Sequence, residues 1–334
     1  MENRPFKILS IDGGGIRGVF PAMFLSKLEA ELKAQNKENW QIYQNFDLIC
    51  GTSTGGILAI ALGLGIPAHE IYNLYLENAN LIFGRKRGLK RLWRSSYNRG
   101  NLERLIRDKF KEATPGEEPR LDDCKTNLCI PIYDLLQGAP SVLKTKHHPS
   151  FKRDFHLPAY HAALATSAAP TYFDPYSADY KDFNNLDVSF SNKVDGGVVA
   201  NNPALLGIVE AQNSFSQDLS NLRVLSIGTG HQKFTDGQKR KNWGVSYWIT
   251  KTRIIDLFMQ GQSQLVENLI SVLQRGIDKE LEPRFMYERI NTELSSSHAV
   301  SLDEVNLDKL KKLGEKGAFE FSNSASRVLK LLDA

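Results

Sequence analysis

The chain has 334 residues, 41% of them hydrophobic and 24% charged, which suits one large domain or two smaller ones with a sizeable core. Its net charge of +4 is too weak to argue for nucleic acid by itself, although it is compatible with an anionic membrane surface. The 3 cysteines, Cys50, Cys124 and Cys129, form neither a disulfide framework nor a zinc pattern and point to a reducing compartment, and no stretch reaches the ~18 apolar residues of a spanning helix.

Met1–Pro5 lacks a signal-peptide core and runs directly into Phe6–Ile11, which reads as a buried first strand. Asp12-Gly13-Gly14-Gly15-Ile16-Arg17-Gly18 follows, and then apolar residues at helical spacing over 20–34, with Pro21 in the first turn. A second strand over 46–50 meets Gly51-Thr52-Ser53-Thr54-Gly55-Gly56, and a buried helix runs on to about Leu64. Gly65-Ile66-Pro67 stops it and opens a helix whose face is Ile71, Leu74, Tyr75, Asn78 and Ile82. Residues 84–99 are basic, with Leu89, Leu92, Trp93 and Tyr97 interleaved. The pattern predicts a helix at 100–112, a strand at 128–136, Pro-bearing polar sequence to Pro158 and an Ala-rich helix at 160–167. Residues 174–192 read as loop or irregular β structure. Asn201-Asn202-Pro203 opens a helix to Gln212, Leu222–Ile227 is a buried strand, and helices are expected at 244–275, 303–313 and 317–332. Strands alternating with helices predict a mostly parallel α/β sheet covered on both faces.

Gly51-x-Ser53-x-Gly55 between a strand and a helix outlines a nucleophile elbow, with the helix start lending positive potential to an anion at Ser53. The plain alternative is a tight strand-to-helix turn with a capping serine. Gly13-x-Gly15-x-x-Gly18 admits two uses. It could seat a dinucleotide pyrophosphate, as in an oxidoreductase, or form an oxyanion hole from consecutive glycine amides. The dinucleotide reading wants an acidic residue at the end of the next strand, where Gly51-Thr52-Ser53 stands instead. A serine needs a base. In Ser, acid, His order the candidates are His231 and His298. Asp195, between Val194 and two glycines, is the better candidate, with a simple Asp-Gly-Gly turn as its bland reading.

Together these motifs resemble the patatin-like phospholipases. The match rests on Asp12–Gly18, Gly51–Gly56 and Asp195-Gly196-Gly197, in that order. Ala165–Phe173, Asn201-Asn202-Pro203, Ile227–Gly230 and the Trp243–Trp248 stretch support it. The resemblance covers residues 6–290 and leaves 291–334 as a helical tail packed on that domain. It implies a three-layer α/β/α sandwich and a phospholipase A-type acyl hydrolase without metal or cofactor. It also implies Ser53 as nucleophile, Asp195 as base, and the amides of Gly13, Gly14 and Gly15 as oxyanion hole, with Arg17 supporting the loop. The substrate is then a membrane phospholipid met from the water side by a cytoplasmic, peripheral enzyme. Arg85, Lys86, Arg87 and Trp93 are the candidate membrane or phosphate contacts, with a solvated surface loop as the alternative. The chain also resembles bacterial phospholipases switched on by cyclic oligonucleotides in antiphage defence. That likeness adds a cyclic dinucleotide activator to the expected partners, with the basic Lys233–Lys241 stretch as a further candidate for phosphate contact, and leaves open a homo-oligomer.

Overall fold

The computed structural model describes residues 4–35, 37–84, 95–232, 244, 253–276, 282–295 and 300–333. Eight strands form one sheet: β1 (Phe6–Ile11), β2 (Leu48–Gly51), β3 (Asn127–Asp134), β4 (Ala139–Lys144), β5 (Tyr176–Lys181), β6 (Asp187–Asp195), β7 (Leu222–Ile227) and β8 (Met286–Ile290). Eight α-helices are described: α1 (Val19–Ala34), α2 (Thr54–Gly63), α3 (Ala68–Phe83), α4 (Gly100–Lys111), α5 (Ala159–Thr166), α6 (Ala204–Ser214), α7 (Arg253–Arg275) and α8 (Leu307–Asp333).

β3, β2, β1, β7 and β8 are parallel neighbours in that order, and β4, β5 and β6 add antiparallel pairs beyond β3. Alternation along β1 sorts the core into two layers. Ile8 joins Leu48, Cys50, Val224 and α6 on one side, while Leu9 and Ile11 join Ile49, Leu225 and helices α1 and α2 on the other. The sheet is therefore covered on both faces, as an α/β/α sandwich requires.

The path of β3 positions the site. One of its edges pairs with β4 along its length, from Cys129 opposite Lys144 to Asp134 opposite Ala139. The other edge is shared. β2 pairs there up to Cys50 opposite Cys129, and β6 enters from the far end with Asp195 opposite Ile132. Between them lie Ile130 and Pro131, and proline has no N–H to give a ladder. The end of β2 and the end of β6 thus converge on one gap in the sheet.

Several elements differ from the sequence expectation. β4 lies in the stretch expected to be irregular; Pro140 hides it, yet proline is tolerated on an edge strand. Residues 174–192 make a regular hairpin of β5 and β6. β8 has no apolar run: four of its five positions are only half-buried, and two of those are Glu288 and Arg289. The two helices expected at 303–313 and 317–332 are one, α8. Gly314 and Gly317 read as a break but serve close packing. A Cβ on Gly314 would stand 2.7 Å from the Tyr72 ring, and one on Gly317 would collide with the Phe20 carbonyl oxygen. The tail is thereby locked onto α1 and α3.

Candidate active site

Ser53 closes the turn between β2 and α2 with φ 56° and ψ −122°, a left-handed backbone that a side chain rarely adopts. The turn is tight enough that a Cβ on Gly51 would strike the Gly55 carbonyl oxygen, and one on Gly55 that of Ile11. The Ser53 N–H donates to Thr166 Oγ1 at 3.1 Å, and Thr166 Oγ1 donates to the Pro131 carbonyl at 2.8 Å. Thr166 thus fills the gap between β2 and β6 and pins the elbow to β3. Ser53 Oγ donates to Asp195 Oδ2 at 2.6 Å. Asp195 Oδ1 accepts the Gly197 N–H at 2.6 Å, and the Asp195 N–H donates to the Ala168 carbonyl at 3.1 Å. Both side chains are buried, Ser53 8% and Asp195 4% exposed. Burial pushes the Asp195 carboxyl up to about 7, although the hydrogen bonds from Ser53 and Gly197 pull it down.

The glycine loop lies beside this pair but is not uniform. The Gly13 N–H donates to the Asn201 carbonyl at 3.1 Å, and the Gly13 carbonyl accepts from Thr229 Oγ1 at 3.0 Å. Gly13 is therefore a fixed anchor, which corrects the expectation that its amide faces a reacting oxygen. Gly14 and Gly15 line the cavity above Ser53. Their amides make no hydrogen bond among the described residues, whereas the next one, Ile16 N–H, donates to the Leu302 carbonyl at 2.9 Å. Arg17 folds back, its Nε donating to the Gly14 carbonyl at 3.4 Å.

Residues 9–208 match the family model described as patatin-like phospholipase. The chain belongs to the patatin-like phospholipases. It is accordingly a lipid acyl hydrolase, a carboxylic ester hydrolase. "Patatin-like protein 2" of Arabidopsis thaliana is 35% identical, the match covering 92% of this chain and 82% of that one. A "cGAMP-activated phospholipase" of Vibrio cholerae is 30% identical over 93% of this chain and 89% of its own length. Another of that description from Escherichia coli is 32% identical over 93% and 87%.

In this patatin-like phospholipase the elbow opens into a cavity of about 430 Å³ walled by apolar side chains. Ile57 and Tyr75 stand near Ser53, Ile82, Phe83 and Leu102 come from α3 and α4, Phe173 from the loop after α5, and Ile255, Phe258 and Met259 from α7. A hydroxyl and a carboxylate in the wall of an otherwise apolar cavity suit a long hydrocarbon chain ending in a polar group. Periodicity alone reads Tyr75 and Ile82 as core, so the slot has no signature in the sequence. Tyr75 also braces the helix start, since its hydroxyl accepts from Thr54 Oγ1 at 2.7 Å.

Asp12 tethers the glycine loop. It is buried and takes both arms of Arg289, Nη1 to Oδ1 at 2.9 Å and Nη2 to Oδ2 at 2.6 Å. Arg289 also donates to Ser226 Oγ at 2.9 Å and Glu267 Oε1 at 2.8 Å. Nothing in Met-Tyr-Glu-Arg-Ile marks Arg289 as part of a site. Only the β7–β8 pairing brings it under the glycine loop. Arg289→Ala leaves a buried carboxylate without its partner and is expected to cost about 3–5 kcal/mol in urea unfolding, with Arg289→Lys recovering only part. A loss below about 1 kcal/mol would show that the pair does not hold the loop.

The other expected contacts fall elsewhere. His231 pairs its backbone with Thr292 and Leu294 and is not among the cavity residues; His298 lies outside the described residues. The dinucleotide reading of the glycine loop fails on geometry as well as family: the Gly13 amide is committed, and the Leu302 carbonyl stands against Gly15, where a pyrophosphate would need room. Arg85, Lys86, Arg87 and Trp93, and the Lys233–Lys241 stretch, lie outside the described residues. Of the described part of the basic stretch 84–99, Tyr97 is core, 1% exposed, and Arg99 lies over the rings of Phe173 and Tyr176. Cys129, His147 and Glu210 bring ligand-type atoms within 4.8 Å of one another. There the Lys144 ammonium already sits on Glu210 at 2.5 Å, and His147 uses both ring nitrogens, on Thr145 and Glu210. Lys144 at the end of β4 and His147 just after it thereby clamp that strand to Glu210 of α6.

Proposed function

We propose that this patatin-like phospholipase cleaves fatty-acyl esters of membrane phospholipids with a Ser53–Asp195 dyad, through an acyl-enzyme. The observation that carries the reading is the 2.6 Å hydrogen bond from Ser53 Oγ to Asp195 Oδ2 in the lining of an otherwise apolar cavity. Asp195 accepts the Ser53 proton as Oγ bonds to the ester carbonyl carbon. The carbonyl oxygen becomes an oxyanion, held by the Gly14 and Gly15 amides and the positive end of α2. Collapse breaks the ester C–O bond, and Asp195 returns its proton to the departing lyso-lipid oxygen. Water then attacks the acyl-enzyme with Asp195 again taking the proton. The fatty acid leaves and Ser53 recovers its hydrogen. Arg17 acts on the Gly14 carbonyl, keeping the neighbouring amides aimed inward. A carboxyl near 7 suits such a base, because it is half ionised close to neutral pH.

The two relatives described as cGAMP-activated phospholipases support the further reading that cGAMP switches on this chain too, in a cytoplasmic enzyme that is peripheral at the membrane when active. Activation of this kind would serve antiphage defence, as the resemblance implies. The test is fatty-acid release from phosphatidylcholine–phosphatidylglycerol vesicles, followed by mass spectrometry with and without cGAMP. Fatty acid and lyso-lipid that rise with cGAMP are expected. Release indifferent to cGAMP removes the regulatory part, and no release under either condition removes the hydrolase reading.

A further inference from the structure

α7 does more than wall the cavity. Ile254, Phe258, Leu265, Leu269 and Val272 are 39%, 61%, 58%, 43% and 53% exposed. Their spacings of 4, 7, 4 and 3 residues set them in one stripe along the helix. The other exposed described positions between them are Gly261, Gln264, Asn268 and Ser271, and none carries a charge. Glu267, an ionisable residue within that span, is off the stripe and paired with Arg289 at 2.8 Å, its side chain 37% exposed. A helix face left to water ordinarily carries lysine, glutamate or arginine. Among the described side chains this one stays uncharged over roughly 27 Å, at 1.5 Å per residue.

The stripe is continuous with the site. Phe258 lines the cavity and is also the most exposed residue of the five, and Val198, 45% exposed, stands on the same rim. We infer that this face of α7 seats on the lipid bilayer, with the helix in the plane of the interface and the cavity mouth opening into hydrocarbon. The inference rests on the lipid-hydrolase reading above and names the surface through which that substrate arrives. An acyl chain can then slide from the bilayer past Phe258 to Ser53 without crossing water, which would cost ~0.8 kcal/mol for each methylene exposed. A second copy of the chain seated on the same stripe would instead lie against the mouth that the substrate must enter. The uncharged face also implies that adhesion here is apolar, so it should persist in high salt.

The test separates adhesion from catalysis. Full-length Ser53→Ala protein is sedimented with phosphatidylcholine–phosphatidylglycerol vesicles, with and without cGAMP, and compared with the same chain carrying Leu265→Glu, Leu269→Glu and Val272→Glu. None of these three lines the cavity. The triple change is expected to lower vesicle binding by about tenfold or more. In the Ser53-bearing chain it should leave hydrolysis of a water-soluble short-chain ester at the parent rate. Unchanged vesicle binding overturns the inference. So does a triple variant that turns from dimer to monomer in light scattering while still binding vesicles, since a second copy then covers the stripe. Should the triple variant fail to fold, Leu269→Trp reads the same contact. Its emission should shift to the blue and be quenched by brominated lipid, and emission indifferent to vesicles overturns the inference. Intact vesicle binding by a chain that cleaves no ester would sink the hydrolase reading while upholding this one.

Discussion

Replacing Ser53 by alanine is expected to lower phospholipid hydrolysis by about 10⁴-fold or more, because the dyad has no second nucleophile to offer. The two adjacent hydroxyls are both engaged, Thr52 Oγ1 donating to the Ala200 carbonyl and Thr54 Oγ1 to the Tyr75 hydroxyl. Fluorophosphonate labelling should vanish in Ser53→Ala and persist in His231→Ala, since His231 does not meet the cavity. Labelling that survives Ser53→Ala would assign the nucleophile elsewhere. The same residue carries a stability effect. Ser53 is held at φ 56°, where a residue without Cβ is not strained, so Ser53→Gly is expected to be about 1 kcal/mol more stable than Ser53→Ala, both lacking the hydroxyl that donates to Asp195. Equal urea midpoints for the two chains would mean that the elbow stores no such strain.

Asp195→Asn is expected to lower kcat/KM by about 10³–10⁴-fold, because an amide cannot accept the Ser53 proton. In the parent enzyme kcat/KM should fall about tenfold per pH unit below about 7, where Asp195 becomes protonated, and level off above it. A flat profile from pH 5 to 8 would remove Asp195 as the base. Stability should run the other way. The folded carboxyl holds its proton up to about 7 against an ordinary value of 3.8, so its contribution is complete below the ordinary value. It is lost as pH rises through about 7, when a buried charge must form. Asp195→Asn never carries that charge, so it should match the parent near pH 4 and exceed it at pH 8, by at most about 4 kcal/mol. A variant no more stable than the parent at pH 8 would show that burial does not penalise this carboxylate.

Much of the site was legible because its chemistry rests on local backbone geometry. A turn as sharp as Gly51–Gly55 excludes side chains, so it leaves a pattern of glycines around Ser53, and Asp195-Gly196-Gly197 leaves another. The alternation of apolar strands and helices likewise announced a parallel sheet covered on both sides. Where the reading failed, the glycines and prolines had a tertiary cause. Gly314 and Gly317 let α8 approach Tyr72 and Phe20, and Pro140 sits at an edge that tolerates it. Gly13, expected to offer its amide to the oxyanion, is tied to Asn201. The run of three glycines cannot reveal which of its amides is already engaged.

The sequence by itself determined the parts that neighbouring residues dictate: the elbow, the glycine loop, the buried strands and the family they compose. Only the tertiary structure decided that Ser53 and Asp195, 142 residues apart, are hydrogen-bonded, because that depends on β6 entering the edge of β3 that β2 vacates at Pro131. Thr166 at the gap, Arg289 beneath Asp12 and the apolar slot from α3, α4 and α7 arise in the same way. Each is built from contacts between segments far apart in the chain. The spacing of one segment constrains its own backbone and the face it buries, but carries no information about which distant side chain will stand opposite.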